Sequence, residues 1–155
     1  MRYWLMKAEP DVLGIDDLAA LPDRTIGWDG VRNYQARNFM RDQMQRGDLA
    51  LFYHSGCKEP GVAGIVEICS GPYPDPTQFD PDHRYYDPKS TRETPRWQQV
   101  DVRLAKKTAY LTLAQMRATP ELEGMQVLAR GNRLSITPVS PAHWRTVMRL
   151  IGEPA

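Results

Sequence analysis

The chain has 155 residues, is 41% hydrophobic and 25% charged, and carries a formal net charge of +1. This length and composition are typical of one soluble globular domain, which is expected to fill residues 1–155. No apolar run approaches the roughly 20 residues that span a bilayer, which argues against a membrane protein. The charge is uneven, because residues 124–152 contain arginines and no acidic side chain, a pattern that permits nucleic-acid binding without requiring it.

The first third of the chain predicts one strand and two helices. Residues 3–6 are aromatic and apolar, which favours a buried strand. Residues 14–18 begin a short helix with acidic residues in its first turn. A second helix is predicted from Asn33, its N-cap, to Gln45, with Gly47 as its C-cap. Its buried stripe consists of residues spaced four apart, Ala36, Met40 and Met44.

The middle of the chain predicts two neighbouring strands and a long loop. Residues 48–53 and 62–68 carry the strand pattern, so we expect them to pair. Residues 71–96 are rich in proline, which argues against a helix or a central strand there. The strand pattern resumes at Trp97 and extends toward Tyr110.

The last third predicts a short helix, an edge strand and a terminal helix. Thr112 opens a capping-box pattern, and Pro138 places the strand of residues 134–139 at a sheet edge or near its own end. Ser140 and Pro141 begin an amphipathic C-terminal helix as its N-cap and first residue. Strands and helices alternate irregularly, which predicts an α+β fold with a small mixed barrel of about five or six strands surrounded by short helices.

No catalytic or metal-binding motif is recognised. The sequence lacks the nucleophile elbow, the Walker loop and the dinucleotide fingerprint. His54 and Ser55 are adjacent in a strand and point to opposite faces, so they do not form a catalytic dyad. Cys57 and Cys69 are expected to be free thiols in a reducing cytoplasm, and the histidines have no metal-ligand spacing. We therefore expect no enzyme activity, no metal and no cofactor.

Residues 28–38 favour a binding pocket instead. They place two aromatic rings, a turn and several amide side chains beside a basic helix. A pocket for a flat base needs stacking faces, directional polar groups and a basic rim. Each aromatic side chain could instead belong to the core, and this alternative is stronger for Trp4 and Trp144 than for Trp28, whose neighbours are polar.

Long stretches of the chain resemble the EVE-domain family. The resemblance rests on residues 3–10, on Trp28–Asn38 (WDGVRNYQARN), and on residues 47–48 with 52–55. Shorter matching stretches are residues 57–64, 73–75, 86–88, 97, 100–102, 133–136 and 138–139. Together they cover nearly the whole chain.

The resemblance implies a barrel of the PUA-like type, related to YTH domains, and non-catalytic recognition of a modified base. The implied ligand is a modified cytosine in DNA, flipped out of the duplex. An RNA-binding module and an enzyme acting on a modified nucleotide are the alternatives, and a protein-interaction module using residues 71–96 is a third class. The chain is expected to be a monomer whose effector, if any, is a separate protein.

Candidate site residues follow from both arguments. The resemblance implies that Trp28 stacks on the base. It also implies pocket positions for Lys7, Asn33, Tyr34, His54 and Ser55. Basic side chains expected at the rim, along the nucleic-acid backbone, are Arg32, Arg37, Arg41, Arg130 and Arg133. The resemblance implies a phosphate contact at Arg133 and Ser135. It supports Arg130 less, because residues 129–132 match the family pattern less closely.

Overall fold

A computed structural model describes residues 1–154. The strands β1 to β8 are Tyr3–Ala8, Thr25–Gly27, Leu49–His54, Gly61–Ile68, Tyr73–Pro74, Gln98–Gln99, Asp101–Thr112 and Ile136–Val139. The helices α1 to α5 are Pro10–Leu13, Ile15–Ala20, Tyr34–Asn38, Leu113–Arg117 and Pro141–Ile151. A π-helical segment, Phe39–Gln43, continues α3, and 3₁₀ turns cover Pro22–Arg24, Pro76–Phe79, Pro120–Leu122 and Gln126–Leu128.

Six strands form one mixed sheet in the order β2-β7-β4-β3-β1-β8. The β1 and β3 strands are parallel, from the pair Tyr3 and Leu49 to the pair Ala8 and His54, and the other neighbours are antiparallel. A parallel pair needs a long crossover, which here is the segment between the two strands that carries α1, α2, β2 and α3. The carboxyl ends of β1 and β3 therefore meet at one end of the sheet.

The sheet is curled into a half-barrel by its long seventh strand and by irregular pairing. Register shifts interrupt the β3·β4 and β4·β7 pairs, and such bulges increase local twist and bend. Gly64 permits close approach at one of them, because a Cβ there would lie 2.8 Å from the carbonyl oxygen of Lys106. The predicted α+β fold with six strands and short helices is confirmed.

Both faces of the central strands are buried. In β1, Trp4 and Met6 belong to the hydrophobic cluster on one face, while Leu5 belongs to the cluster on the other. The first cluster includes Trp28 and Phe52, and the second packs against Trp144 of α5. This alternation follows from the two-residue period of a strand and leaves the sheet covered on both sides.

Several local predictions are confirmed. Asn33 caps α3 by accepting a hydrogen bond from the backbone N–H of Ala36 at 3.0 Å. Pro138 lies in the edge strand β8, and Ser140 accepts a hydrogen bond from the N–H of His143 at the start of α5. The stripe of α3 and its continuation is buried at Ala36, Met40 and Met44.

The helix predicted over residues 33–45 is wrong at its end. The α-helical part stops at Asn38, and a bond of 2.8 Å from the N–H of Met44 to the carbonyl of Phe39 closes a wider π turn. Gly47, with φ of +91°, lies in the turn before β3 and is not the C-cap, which is Met44. The two-residue strand β5, along with α1 and β2, was not predicted, because segments this short carry no periodicity. The strand predicted from Trp97 toward Tyr110 is divided in the structure into β6 and β7.

The proline-rich loop of residues 71–96 is ordered by a buried glutamine. The Gln78 side chain is fully buried, and its Nε2 donates to the carbonyl oxygens of Asp75 and Trp97 at 2.7 and 2.8 Å. Its Oε1 accepts from the Ser90 hydroxyl and from the backbone N–H of Trp97. These bonds tie the start, middle and end of the loop together, so the loop has a defined shape.

Candidate nucleic-acid interface

A pocket of about 420 Å³ opens where the carboxyl ends of β1 and β3 meet the turn after β2. Its size falls within the usual range for binding sites of small molecules. Five parts of the chain line it. They are the end of β1 and the residues after it (Lys7, Ala8, Glu9, Val12 and Leu13), the segment from Ile26 to Asn33, Ser55, Tyr85, and the pair Arg133 and Ser135.

Trp28 belongs to both the pocket and the core. Its side chain is only 6% exposed, and its ring packs edge-on against Phe52 with 5.8 Å between centroids. Its backbone N–H donates to the carbonyl of Val100 at 2.8 Å. Trp28 therefore packs in the core, as one alternative expected, and also lines the pocket.

The proline-rich loop supplies a second aromatic residue of the pocket lining, Tyr85. Gly30 has φ of +77°, and a Cβ at this position would lie 2.5 Å from the Tyr85 ring. Glycine is thus required twice at residue 30, for its left-handed backbone and for the approach of the ring. Sequence reasoning did not identify Tyr85, because it lies 55 residues from Gly30 in the chain and only the folded loop brings them together.

Arg32 fastens this loop to the pocket wall. Its guanidinium donates to the Asp75 carboxylate at 3.0 Å, to the Thr77 hydroxyl, and to the carbonyl oxygens of Val31 and Tyr85. The guanidinium has five N–H donors, and the five hydrogen bonds use them all. Arg32 therefore acts within the protein and keeps no free donor for a phosphate.

The carboxylate of Asp75 is held ionised at the centre of this contact. Burial alone raises the pKa of Asp75, but hydrogen bonds from Thr77, from the backbone N–H of Gly30 and from Arg32 outweigh it. The resulting pKa lies below the usual aspartate value. Asp75 is fully buried, so its charge depends on these donors.

Lys7, Ser55 and Arg133 are polar residues of the pocket lining. The Lys7 ammonium lies 3.4 Å from the carbonyl oxygen of Asn132, and burial lowers the pKa of Lys7. The backbone N–H of Ser55 donates to the carbonyl of Ala8 at 2.9 Å, which fixes this residue beside the end of β1. Lys7 and Arg133 each bring a positive charge to the pocket lining.

His54 faces away from the pocket. Its Nε2 accepts a hydrogen bond from the backbone N–H of Ile15 at 3.2 Å, and its ring lies against Phe52 and Tyr110. Burial lowers the pKa of His54, which favours the neutral acceptor form. Of the adjacent pair His54 and Ser55, only Ser55 lines the pocket, as the alternation of strand residues requires.

Tyr34 and three of the predicted rim arginines also lie outside the pocket lining. Tyr34 is half exposed and stacks on Trp97 with 4.8 Å between centroids, and the Arg37 guanidinium covers its ring at 4.7 Å. Arg41 pairs with Asp42 on the surface, and Arg130 lines a separate open cavity. The structure thus brings together Lys7, Trp28, Arg32, Asn33, Ser55 and Arg133, and leaves Tyr34, His54, Arg37, Arg41 and Arg130 elsewhere.

Two carboxylates that were not predicted as site residues, Glu9 and Asp29, also line the pocket. Burial, followed by the charge of Asp75, raises the pKa of Asp29. Within residues 1–154, no three His, Cys, Asp or Glu side chains are grouped to hold a metal ion. Over the same residues, no helix has both the length and the apolar character needed to cross a bilayer.

Comparison with known proteins identifies the family. The model of the EVE domain matches residues 2–150. The chain belongs to the EVE-domain family. It is 42% identical to thymocyte nuclear protein 1 of Danio rerio over 168 residues, which cover 97% of this chain and 72% of the relative. It is 40% identical to the Homo sapiens protein of that name over 166 residues, or 96% and 73% of the two chains.

Solved structures of other EVE-domain proteins have the same fold. A protein from Pseudomonas syringae is 45% identical, with a TM-score of 0.90 over 96% of this chain and 98% of its own. Human THYN1 protein in complex with DNA containing 5-methylcytosine is 40% identical, with a TM-score of 0.92 over 100% of both chains.

Proposed function

We propose that this EVE domain binds DNA and takes one modified cytosine base, flipped out of the duplex, into the 420 Å³ pocket without transforming it. One observation carries the proposal. A structure with a TM-score of 0.92 to this chain and 40% identity is a complex with DNA containing 5-methylcytosine. The pocket described above has the features that such a ligand needs.

The shape and chemistry of the pocket suit a flat polar ring. Trp28 and Tyr85 offer aromatic surfaces from two different segments. Asn33 and Ser55 add directional polar groups, and Arg133 with Lys7 adds positive charge that suits a phosphate. Base stacking on aromatic side chains is typical of proteins that bind unpaired nucleotides.

The energetics predict a modest preference for the modified base. Extruding a base costs about a few kcal/mol, and stacking on an aromatic ring returns roughly 1–3 kcal/mol. A methyl group in an apolar pocket contributes about 1–3 kcal/mol, which corresponds to a preference of about 10- to 100-fold. Contacts with phosphates add affinity that weakens steeply with salt.

The position of His54 excludes it as a general base acting in the pocket. A general base must reach the group that it deprotonates, and the Nε2 of His54 is already bonded to the N–H of Ile15 outside the pocket. The enzyme alternative predicts that an incubated oligonucleotide changes mass. Mass spectrometry of a modified oligonucleotide before and after incubation distinguishes the two, since binding alone leaves the mass unchanged.

Titration with matched oligonucleotides tests the proposal. The DNA duplexes differ at one position, which carries cytosine, 5-methylcytosine or 5-hydroxymethylcytosine, and the same set in RNA tests the alternative nucleic acid. We expect a modified cytosine in DNA to bind more tightly than cytosine at every salt concentration. Equal affinity for all three DNA duplexes would contradict the proposal, and a preference confined to RNA would replace DNA as the ligand.

A further inference from the structure

We propose that the Asp29 carboxylate accepts a hydrogen bond from the 4-amino group of the flipped cytosine and so allows the pocket to reject thymine. The inference rests on the proposed function. 5-Methylcytosine and thymine share the ring shape and the methyl group, so stacking and methyl packing cannot separate them. They differ at position 4, where cytosine has an amino donor and thymine a carbonyl acceptor. A pocket for 5-methylcytosine therefore needs a hydrogen-bond acceptor at that edge.

Asp29 lies on a firmly held part of the pocket wall. The backbone N–H of Trp28 donates to Val100, that of Asp29 donates to Gly27 at 2.9 Å, and that of Gly30 donates to the Asp75 carboxylate at 2.8 Å. Three consecutive residues are thus fixed through their own N–H groups. Asp29 follows Trp28 directly in the chain, is exposed, and lines the same pocket as the aromatic residue.

The carboxylate of Asp29 is available to a ligand. Among residues 1–154, no other residue donates a hydrogen bond to it, and its basic neighbour Arg32 has committed all its donors elsewhere. A free negative charge in a pocket for a polyanion weakens binding unless it contacts the ligand specifically. A carboxylate accepting from the cytosine amino group is such a contact.

Two other acceptors in the pocket wall fit this role less well. The Oδ1 of Asn33 already accepts the N–H of Ala36 as the helix cap. Glu9 lies beyond the end of β1, near Gly56, and its longer side chain loses more rotamer freedom when it is fixed. Glu9 is therefore the matched control, because neutralising it removes the same charge from the same pocket.

The test compares three proteins on three ligands. The wild-type protein, Asp29→Asn and Glu9→Gln are titrated with duplexes that carry 5-methylcytosine, cytosine or thymine opposite an abasic site, so that base pairing does not differ between ligands. We expect the wild-type protein to bind 5-methylcytosine roughly 10-fold or more tightly than thymine. Asp29→Asn should lose most of this ratio, because its amide can rotate and donate to the thymine carbonyl. Glu9→Gln should keep the ratio.

The comparison separates the inference from the proposed function. The ratio of 5-methylcytosine to cytosine tests the proposed function, and the ratio of 5-methylcytosine to thymine tests the role of Asp29. The inference is overturned if the wild-type protein prefers 5-methylcytosine to cytosine but binds thymine equally well, or if Asp29→Asn keeps full rejection of thymine. Loss of the ratio in Glu9→Gln alone would also overturn it. Thermal melting of each variant verifies that the fold is intact.

Discussion

The guanidinium of Arg32 and the carboxylate of Asp75 lie 3.0 Å apart, and this ion pair joins the turn that carries Trp28 to the loop that carries Tyr85. The two aromatic walls of the pocket come from segments more than fifty residues apart in the chain. Their spacing therefore depends on a contact that neither segment makes alone. The stability of this contact and the geometry of the pocket should change together.

Asp75→Ala should destabilise the protein by about 3 kcal/mol, because it leaves the partly buried Arg32 without its charged partner. Denaturation with urea measures the free energy of unfolding. Asp42→Ala is the control, since it removes the partner of Arg41 from an exposed ion pair that should contribute little to stability. Equal losses in the two variants would show that the Arg32–Asp75 pair is no more important than a surface pair.

The same carboxylate predicts a dependence of stability on pH. Hydrogen bonds hold the pKa of Asp75 below its usual value despite burial, so the folded state binds this proton more weakly than the unfolded state. The stabilisation is complete above the unfolded pKa of about 4 and is lost as the pH falls through the folded pKa. The difference in unfolding free energy between the wild-type protein and Asp75→Asn should therefore shrink below about pH 4. A difference that stays constant from pH 7 to pH 3 would contradict this account.

Gly30→Ala should destabilise the protein more than Gly131→Ala. Both glycines have φ of +77°, so both variants carry the same backbone strain of roughly 1–2 kcal/mol. Only at Gly30 would the new Cβ meet the Tyr85 ring, while a Cβ at Gly131 has no heavy atom within 4 Å. The difference between the two melting temperatures isolates the contact with Tyr85. If both variants melt at the same temperature, Tyr85 does not pack against the turn as described.

Arg133 and Arg130 should differ in their contribution to nucleic-acid binding. Both were predicted as backbone contacts, but Arg133 lines the pocket and Arg130 lines the separate cavity. Arg133→Gln should weaken DNA binding and lower the slope of log K against log salt by about 1. Arg130→Gln should change the slope less. Titrations at several salt concentrations measure both slopes, and a larger effect for Arg130 would place the DNA on the other cavity.

The local parts of the fold could be predicted from sequence because their signals are local. The cap at Asn33, the buried stripe at Ala36 and Met40, and the edge position of Pro138 each depend on a few neighbouring residues. The parallel pairing of β1 with β3 joins Leu5 to Leu51 across a long crossover, which no local pattern encodes. The π turn after α3 was not predicted, because the apolar residues in this segment have the spacing of an ordinary α-helix.

The candidate site could be predicted only in part. The motif around Trp28 identified one wall of the pocket. The sequence did not show that Trp28 also packs against Phe52 in the core. Tyr85 and the ion pair of Arg32 with Asp75 depend on the folded path of the proline-rich loop. Arg32 shows the limit most clearly, because its charge predicted a phosphate contact while its environment commits it to the protein.

The central claim is that a modified cytosine enters the pocket beside Trp28, and the indole N–H resonances of the ¹⁵N-labelled protein test it most directly. The chain has four tryptophans and so four indole N–H signals. Trp4 and Trp97 donate their indole N–H groups to Asp48 and Asp87, and Trp144 lies in the core cluster on the other face of the sheet. The signal that disappears in Trp28→Phe belongs to Trp28. We expect a duplex with 5-methylcytosine to shift the Trp28 signal in a saturable way and to leave Trp144 unchanged, while the unmodified duplex shifts it only at higher concentration. A Trp28 signal that stays unchanged at concentrations of methylated DNA that saturate backbone amide shifts elsewhere would contradict the claim.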